Sequence, residues 1–260
     1  MATLSPLLST QSTESQIEYT IMTKKSYITA AFAYSILLTC AESATLSVSL
    51  GQSTDNGTTG GTAIDLTTEG DTDWGIWQNT NLALSSSMAG GSGFTSFTYL
   101  GAAADQGATF GNPQNGYSWT NGTPNATGSG VTQAARADLN AVGAGVRLTI
   151  DVAAAGAYQL KFYTTTFDVN LDATASLVTG GVSDTAIGSY VPNSLEKYEY
   201  TVDFATDGAD TLNLDVVRSG GGLNILAVEA FTLSTSTIPE PSSLALLGLG
   251  MLGLFSRRRR

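Results

Sequence analysis

The 260-residue chain has no histidine and one cysteine, Cys40. Each shortage removes a class of chemistry. A single cysteine leaves no internal disulfide framework. Without histidine, no Ser-His-Asp or Cys-His nucleophile system can be assembled within the chain. Zinc centres built on His or Cys clusters are excluded on the same ground. Basic residues are scarce as well: 11 Lys and Arg stand against 22 Asp and Glu. Six of the basic residues are terminal, at Lys24, Lys25 and Arg257 to Arg260. The stretch between keeps Arg136, Arg147, Lys161, Lys197 and Arg218 against 18 acids, a net charge of −13. A surface that acidic repels phosphate backbones, so nucleic acid is set aside as a partner.

Long apolar runs are also missing, and the two short ones lie near the ends. The first is Ile28 to Leu38, preceded by Met22-Thr-Lys-Lys-Ser-Tyr and followed by the small residues Ala41 and Ser43. A charged n-region, a short apolar core and a small-residue site read as a secretory signal peptide over residues 1–43, cut before Ala44. The expected partners at this end are a secretion translocon and a signal peptidase. Residues 1–21 are polar and patternless. Met22 is the expected start of translation, the alternative being a long n-region. Thr39 precedes Cys40 where a lipoprotein box usually has a smaller residue, so acylation is not expected.

The second run is Leu244 to Phe255, between Pro239-Glu-Pro241 and Arg257, Arg258, Arg259 and Arg260. Prolines on both sides of Glu240 stop a helix from running through and leave an extended strip that a protease can bind. The arginines favour the cytoplasmic side, which puts the rest of the chain outside. The run is shorter than the roughly 20 apolar residues of a usual span. Ser242, Ser243 and Ser256 extend it, and the arginines can snorkel. Triplet, apolar segment and basic end, in this order over residues 238–260, resemble the PEP-CTERM sorting signal. The resemblance implies recognition by an exosortase, a membrane-embedded transpeptidase-like protease. It also implies a transient membrane anchor at 244–255. The final location would be the envelope or extracellular material of a Gram-negative-type bacterium that makes exopolysaccharide.

Between the targeting segments, residues 44–237 alternate apolar and polar positions. Leu46, Val48 and Leu50 share one face, as do Leu148, Ile150 and Val152. So do Tyr158, Leu160 and Phe162, then Tyr198, Tyr200, Val202 and Phe204, and then Leu212, Leu214 and Val216. Period two is the signature of strands. Leu223 to Leu233 is apolar on both faces and reads as a central strand. Turns are expected at Ala155 to Ala157, Thr206 to Asp210 and Arg218 to Gly222. Gln133 to Leu139 shows a weak helical period. The expected fold is one all-β domain, an antiparallel β-sandwich of jelly-roll type. Asp73-Trp-Gly-Ile-Trp77, Asn115 to Pro124, Tyr158 to Tyr163 and Gly220 to Leu233 resemble secreted bacterial galactose-binding-like modules. That resemblance implies the same sandwich and, by analogy of fold alone, sugar binding.

Trp74, Trp77, Tyr117 and Trp119 lie in the loop-rich half, among Asp and Asn. If exposed, such rings cover the apolar face of a pyranose while amides and carboxylates take its hydroxyls. Alternatively, they fill the core. Glu69, Asp71 and Asp73, and Asp207 with Asp210, form oxygen-rich loops of the kind that hold calcium, although no EF-hand order is present. Polar turns explain the same acids, and no cofactor is expected. Among 18 acids nothing marks out a glycosidase pair. Asn56, Asn121 and Asn125 head sequons in a stretch so rich in Asn and Thr that chance accounts for them. The expectation is a non-catalytic exported protein that associates with extracellular polysaccharide. The alternatives are a secreted carbohydrate-active enzyme, a glycoside hydrolase or lyase, on the same fold, and a purely structural stalk with no ligand.

Overall fold

Period-two patterning becomes strand wherever it was read. The computed structural model describes residues 44–52, 63–78, 83–110, 115–188 and 195–236. The signal-peptide segment, the triplet Pro239 to Pro241, the apolar run 244–255 and the arginines at 257–260 lie outside the described residues. Among the described residues no helix is long and apolar enough to cross a membrane.

The strands in chain order are β1 (Thr45–Gln52), β2 (Ile64–Asp65), β3 (Asp73–Ile76), β4 (Ser86–Met88) and β5 (Phe94–Leu100). Next come β6 (Ala103–Phe110), β7 (Tyr117–Trp119), β8 (Gly122–Thr123), β9 (Gly128–Val131) and β10 (Ala134–Leu139). The last are β11 (Gly145–Val152), β12 (Gly156–Leu177), β13 (Ser183–Ile187), β14 (Leu195–Thr206) and β15 (Asp210–Thr235). A one-turn helix, α1 (Leu66–Glu69), follows β2 and is capped by Asp65, whose carboxylate accepts from Thr67 N and Thr68 N.

The spine of the fold is β12 against β15, antiparallel from Tyr158 opposite Thr235 to Leu177 opposite Leu212. On one side, the first part of β12 pairs with β14 and β14 with β1, while the last part of β12 pairs with β13. On the other side, β15 pairs in turn with β11, β10 and β3. The result is a 12-stranded sheet; β2, β7 and β9 form a separate 3-stranded one, where β2 and β7 run parallel. Gln133 to Leu139 is thus mostly strand β10 rather than helix, because Ala135 to Asp138 pair with β15 on one side and β6 covers the other.

Arg218 to Gly222 was expected as a turn, yet it lies inside β15. The glycines let the strand bend there, with its pairing to β12 shifted in register and resumed on either side. Gly221 has φ +102° and faces Val169, next to Asp168, whose φ is +55°. Register shifts flank this point, between Phe167 and Val169 and between Asn170 and Leu171. Residues from before and after the bend, among them Tyr158, Phe162, Val169, Leu171, Leu214 and Phe231, line the same apolar core. The large sheet therefore curls around its own core. Its first edge comes alongside β13, where Val48 N donates to Asp184 Oδ2 at 2.9 Å.

The outer side of the sheet near β3 carries a second apolar cluster. Leu66, Tyr117 and Trp119 of the small sheet and its helix lie there against Trp74, Ile76, Tyr163 and Ala230.

Candidate functional site

Polar chemistry concentrates where the small sheet meets the large one. In β15, Val228 faces the main core and Phe231 does so again, while Glu229 and Ala230 lie between them. Opposite them, Tyr163 pairs with Ala230 and Thr164 with Val228, which leaves Glu229 as the extra residue of a β-bulge. A bulge re-aims a side chain, and here it sends a carboxylate to the covered outer face. Sequence reasoning missed Glu229, because an acid in the apolar run Leu223 to Leu233 read as an ordinary strand position. The signal was its chemical misfit with that run.

Glu229 is fully buried and saturated with donors. Its Oε2 accepts from Tyr117 OH at 2.6 Å, from Asn115 Nδ2 at 2.9 Å and from Asn115 N at 3.3 Å. Thr165 Oγ1 donates to Oε1. Burial raises the Glu229 carboxyl above its ordinary value, and the four hydrogen bonds only partly oppose that. Burial and then the Glu229 charge push Tyr117 well above the usual phenol range. Fully buried among these four donors, the carboxylate is out of reach of a substrate atom. The arrangement fastens the segment at Asn115 to Tyr117 onto the sheet.

A second polar group begins at Tyr163, whose ring meets that of Tyr117 edge-on at 5.8 Å. Tyr163 OH donates to Glu69 Oε2 at 2.7 Å, and Lys161 Nζ reaches the same oxygen at 2.9 Å. Glu199 lies 3.7 Å from Lys161 Nζ on the other side. Burial works against the Lys161 charge, but the two glutamates outweigh it and its pKa rises. All three side chains are partly solvated. A lysine locked as a cation between two carboxylates is a poor nucleophile or base. The trio anchors α1 to β12 and β14.

The four aromatic residues read as a sugar platform require a correction. Trp74 and Trp77 are 0 % exposed, Tyr117 1 % and Trp119 3 %, so none offers a ring face to a pyranose. Nor do they form one group. Trp77 belongs to the main core, 4.9 Å from Phe97, whereas Trp74 and Trp119 pack on each other at 5.8 Å on the outer side. Trp119 closes over Gly128, where a Cβ would collide with the ring.

The acids read as a calcium loop also part company. Glu69 is held by Lys161 and Tyr163. Asp71 accepts from Thr235 N at 2.9 Å and Thr235 Oγ1 at 3.0 Å. Asp73 is buried and accepts from Trp74 N, Gly93 N and Phe94 N. Asp210 accepts from Thr179 N, Gly180 N and Thr211 N. Carboxylates spent on backbone N–H groups act as loop clamps. Among the described residues no three His, Cys, Asp or Glu side chains group closely enough to hold a metal ion.

Three comparisons complete the picture. Residues 237–260 match the family profile described as the PEP-CTERM protein-sorting motif. No curated protein matches the chain. Among solved structures, the chain is similar to the enzymatically active domain of tailspike protein 4 of bacteriophage CBA120, with 16% identity and a TM-score of 0.31. That match covers 64% of this chain and 20% of the tailspike chain, so the chain spans about a fifth of that protein.

Proposed function

We propose that this chain is a non-catalytic, surface-displayed β-domain, exported and then retained in the cell envelope or extracellular matrix after its tail is processed. The sorting motif at residues 237–260 carries the reading. The motif implies an exosortase as processing partner, with Pro239, Glu240 and Pro241 as the recognised strip. Residues 244–255 act as the temporary anchor, with Arg257 to Arg260 held on the cytoplasmic side. The curled antiparallel sheet is read as a sandwich of jelly-roll class.

The non-catalytic part of the reading is supported by where the reactive groups go. Glu229 is buried among four donors, Lys161 is held as a cation between two glutamates, and Asp73 and Asp210 clamp loops. Any contact with extracellular polysaccharide then runs through polar outer-face residues rather than ring stacking. One such row is Arg147, Asp215, Thr174 and Thr185, neighbours across four strands.

A glycan array probed with the exported protein, followed by product analysis on every glycan retained, tests this reading. Retention without bond cleavage is the expected result. Release of shorter glycans would overturn it in favour of a carbohydrate-active enzyme.

A further inference from the structure

The register of the large sheet fixes where the chain enters and leaves the β-domain. Thr45, the first residue of β1, lies opposite Ala205. Ala205 lies opposite Ala157. Ser236 N, just past the end of β15, donates to Ala157 O at 2.8 Å. Both ends therefore sit in one cross-strand row, three strand spacings apart, about 14 Å. The same pole carries the turn beside Gly180, where a Cβ would lie 2.6 Å from that of Ala44.

The exit is pinned. Asp71 accepts from both Thr235 N and Thr235 Oγ1. These bonds hold its pKa below the ordinary carboxylate value against the opposing effect of burial, so the clamp is charged at neutral pH. Beyond Thr235, Pro239 is four residues away, a reach of at most about 14 Å fully extended. Leu244, where the apolar run starts, is nine residues away, at most about 32 Å. A protease that takes up an extended strip around Glu240 must therefore work directly beneath the folded domain.

We propose that this pole, framed by Thr45, Ala157 and Thr235, is the surface that abuts the membrane-embedded sorting protease, and that the Asp71–Thr235 clamp limits the protease's access to the triplet. The inference rests on the tail-processing reading above. Releasing the clamp removes one of two holds on the end of β15, the other being its pairing with β12 at Tyr158 and Ala157, and so eases fraying of that end toward the enzyme. Lengthening the spacer gives the enzyme a longer strip without touching the domain. The side of the domain away from this pole is then the one displayed.

The test is a pulse-chase of the full-length precursor in an exosortase-bearing host, with three variants beside the wild type. One is Asp71→Ala. The second inserts Gly-Ser-Gly-Ser after Ser236. The third replaces Pro239, Glu240 and Pro241 by Ala. Asp71→Ala is expected to shorten the half-time of conversion by roughly tenfold, the scale of losing one hydrogen bond to a charged group; the insertion should shorten it with the clamp intact; the third should stop conversion. Wild-type rates in both of the first two, with the third blocked, would overturn the inference and leave the sorting reading standing. Acceleration by the insertion alone would overturn the part assigned to Asp71. Normal conversion of the third variant would defeat the sorting reading itself, and the inference with it.

Discussion

Tyr117 donates to Glu229 across 2.6 Å, joining the small sheet to the last third of the longest strand in the large one. The bond exists because a bulge in β15 turns an acid toward the covered face, where Asn115 and Thr165 complete its shell. Removing the acid leaves several buried donors without a partner. Glu229→Ala is therefore expected to lower the unfolding free energy by about 3–5 kcal/mol, and Tyr117→Phe by about 1–3 kcal/mol. Urea unfolding of the exported protein measures both. Midpoints equal to wild type would mean that the small sheet docks without this shell.

The same carboxyl sets a pH dependence. Burial raises the folded-state pKa of Glu229 above its ordinary 4.5 and that of Asp73 above 3.8. A raised acid favours the folded state while protonated. Its contribution is full below the ordinary value and is lost as pH rises through the folded value. Asp71 and Asp210 have lowered values, so their contribution is lost as pH falls below about 3.8. The two raised acids therefore favour the folded domain more on the acid side than at neutrality, and the two lowered ones oppose acidification below their ordinary values. Glu229→Gln cannot ionise, so melting curves across this range should show a flatter neutral limb than wild type. A slope unchanged from wild type would place the titration elsewhere.

Much of this fold was legible from alternation. The faces holding Leu148 with Ile150, and Tyr200 with Val202, emerged as read, because one buried face imposes period two on any strand. Alternation could not show that Gly220 to Gly222 continue a strand. A local pattern cannot distinguish a glycine turn from a glycine bend whose ladder is held by β12. Nor could it reveal the bulge at Glu229, which shifts register by one residue within a stretch that carries apolar residues on both faces. The aromatic cluster was legible as a cluster in sequence, but Trp74 and Trp77 diverge onto opposite sides of the sheet. That divergence follows from their odd separation of three residues, since successive strand residues point to opposite faces: Trp74 and Ile76 share the outer cluster, and Trp77 falls on the core side.

Trp77 and Trp119 should respond differently to truncation. Trp77 sits among Phe94, Phe97, Phe162 and Phe231 with centroids 4.9–6.2 Å away, in the main core. Trp77→Ala is expected to cost about 3–5 kcal/mol and to melt the whole domain earlier. Trp119 packs in the smaller cluster, and its Nε1 donates to Asn125 O at 3.0 Å. Its loss should loosen β7 and β9 first. Hydrogen exchange of the Trp119→Ala protein should rise in residues 115–131 while β12 stays protected. Uniform exchange through β12 would show that the two clusters unfold as one.

Two glycines make a matched pair for the bend in β15. Gly221 has φ +102°, a conformation that L side chains rarely adopt. A Cβ there would also lie 2.6 Å from Asp168 O and 2.7 Å from Val169 Cα, backbone atoms that cannot swing away. Gly208, in the turn before β15, has nothing within 4 Å of the same position. Alanine at 208 reduces only the freedom of the unfolded chain and should be neutral or stabilising by a few tenths of a kcal/mol up to about 1 kcal/mol. Alanine at 221 must either strain the backbone or straighten the bend. Straightening would pull Val169 and Leu171 off the core that the two halves of β12 share. The expected cost of Gly221→Ala is about 1–3 kcal/mol. Thermal unfolding of the two variants side by side decides the matter. Equal melting temperatures would mean that β15 bends without help from Gly221, and that the curl of the sheet is set by the packing of its two faces alone.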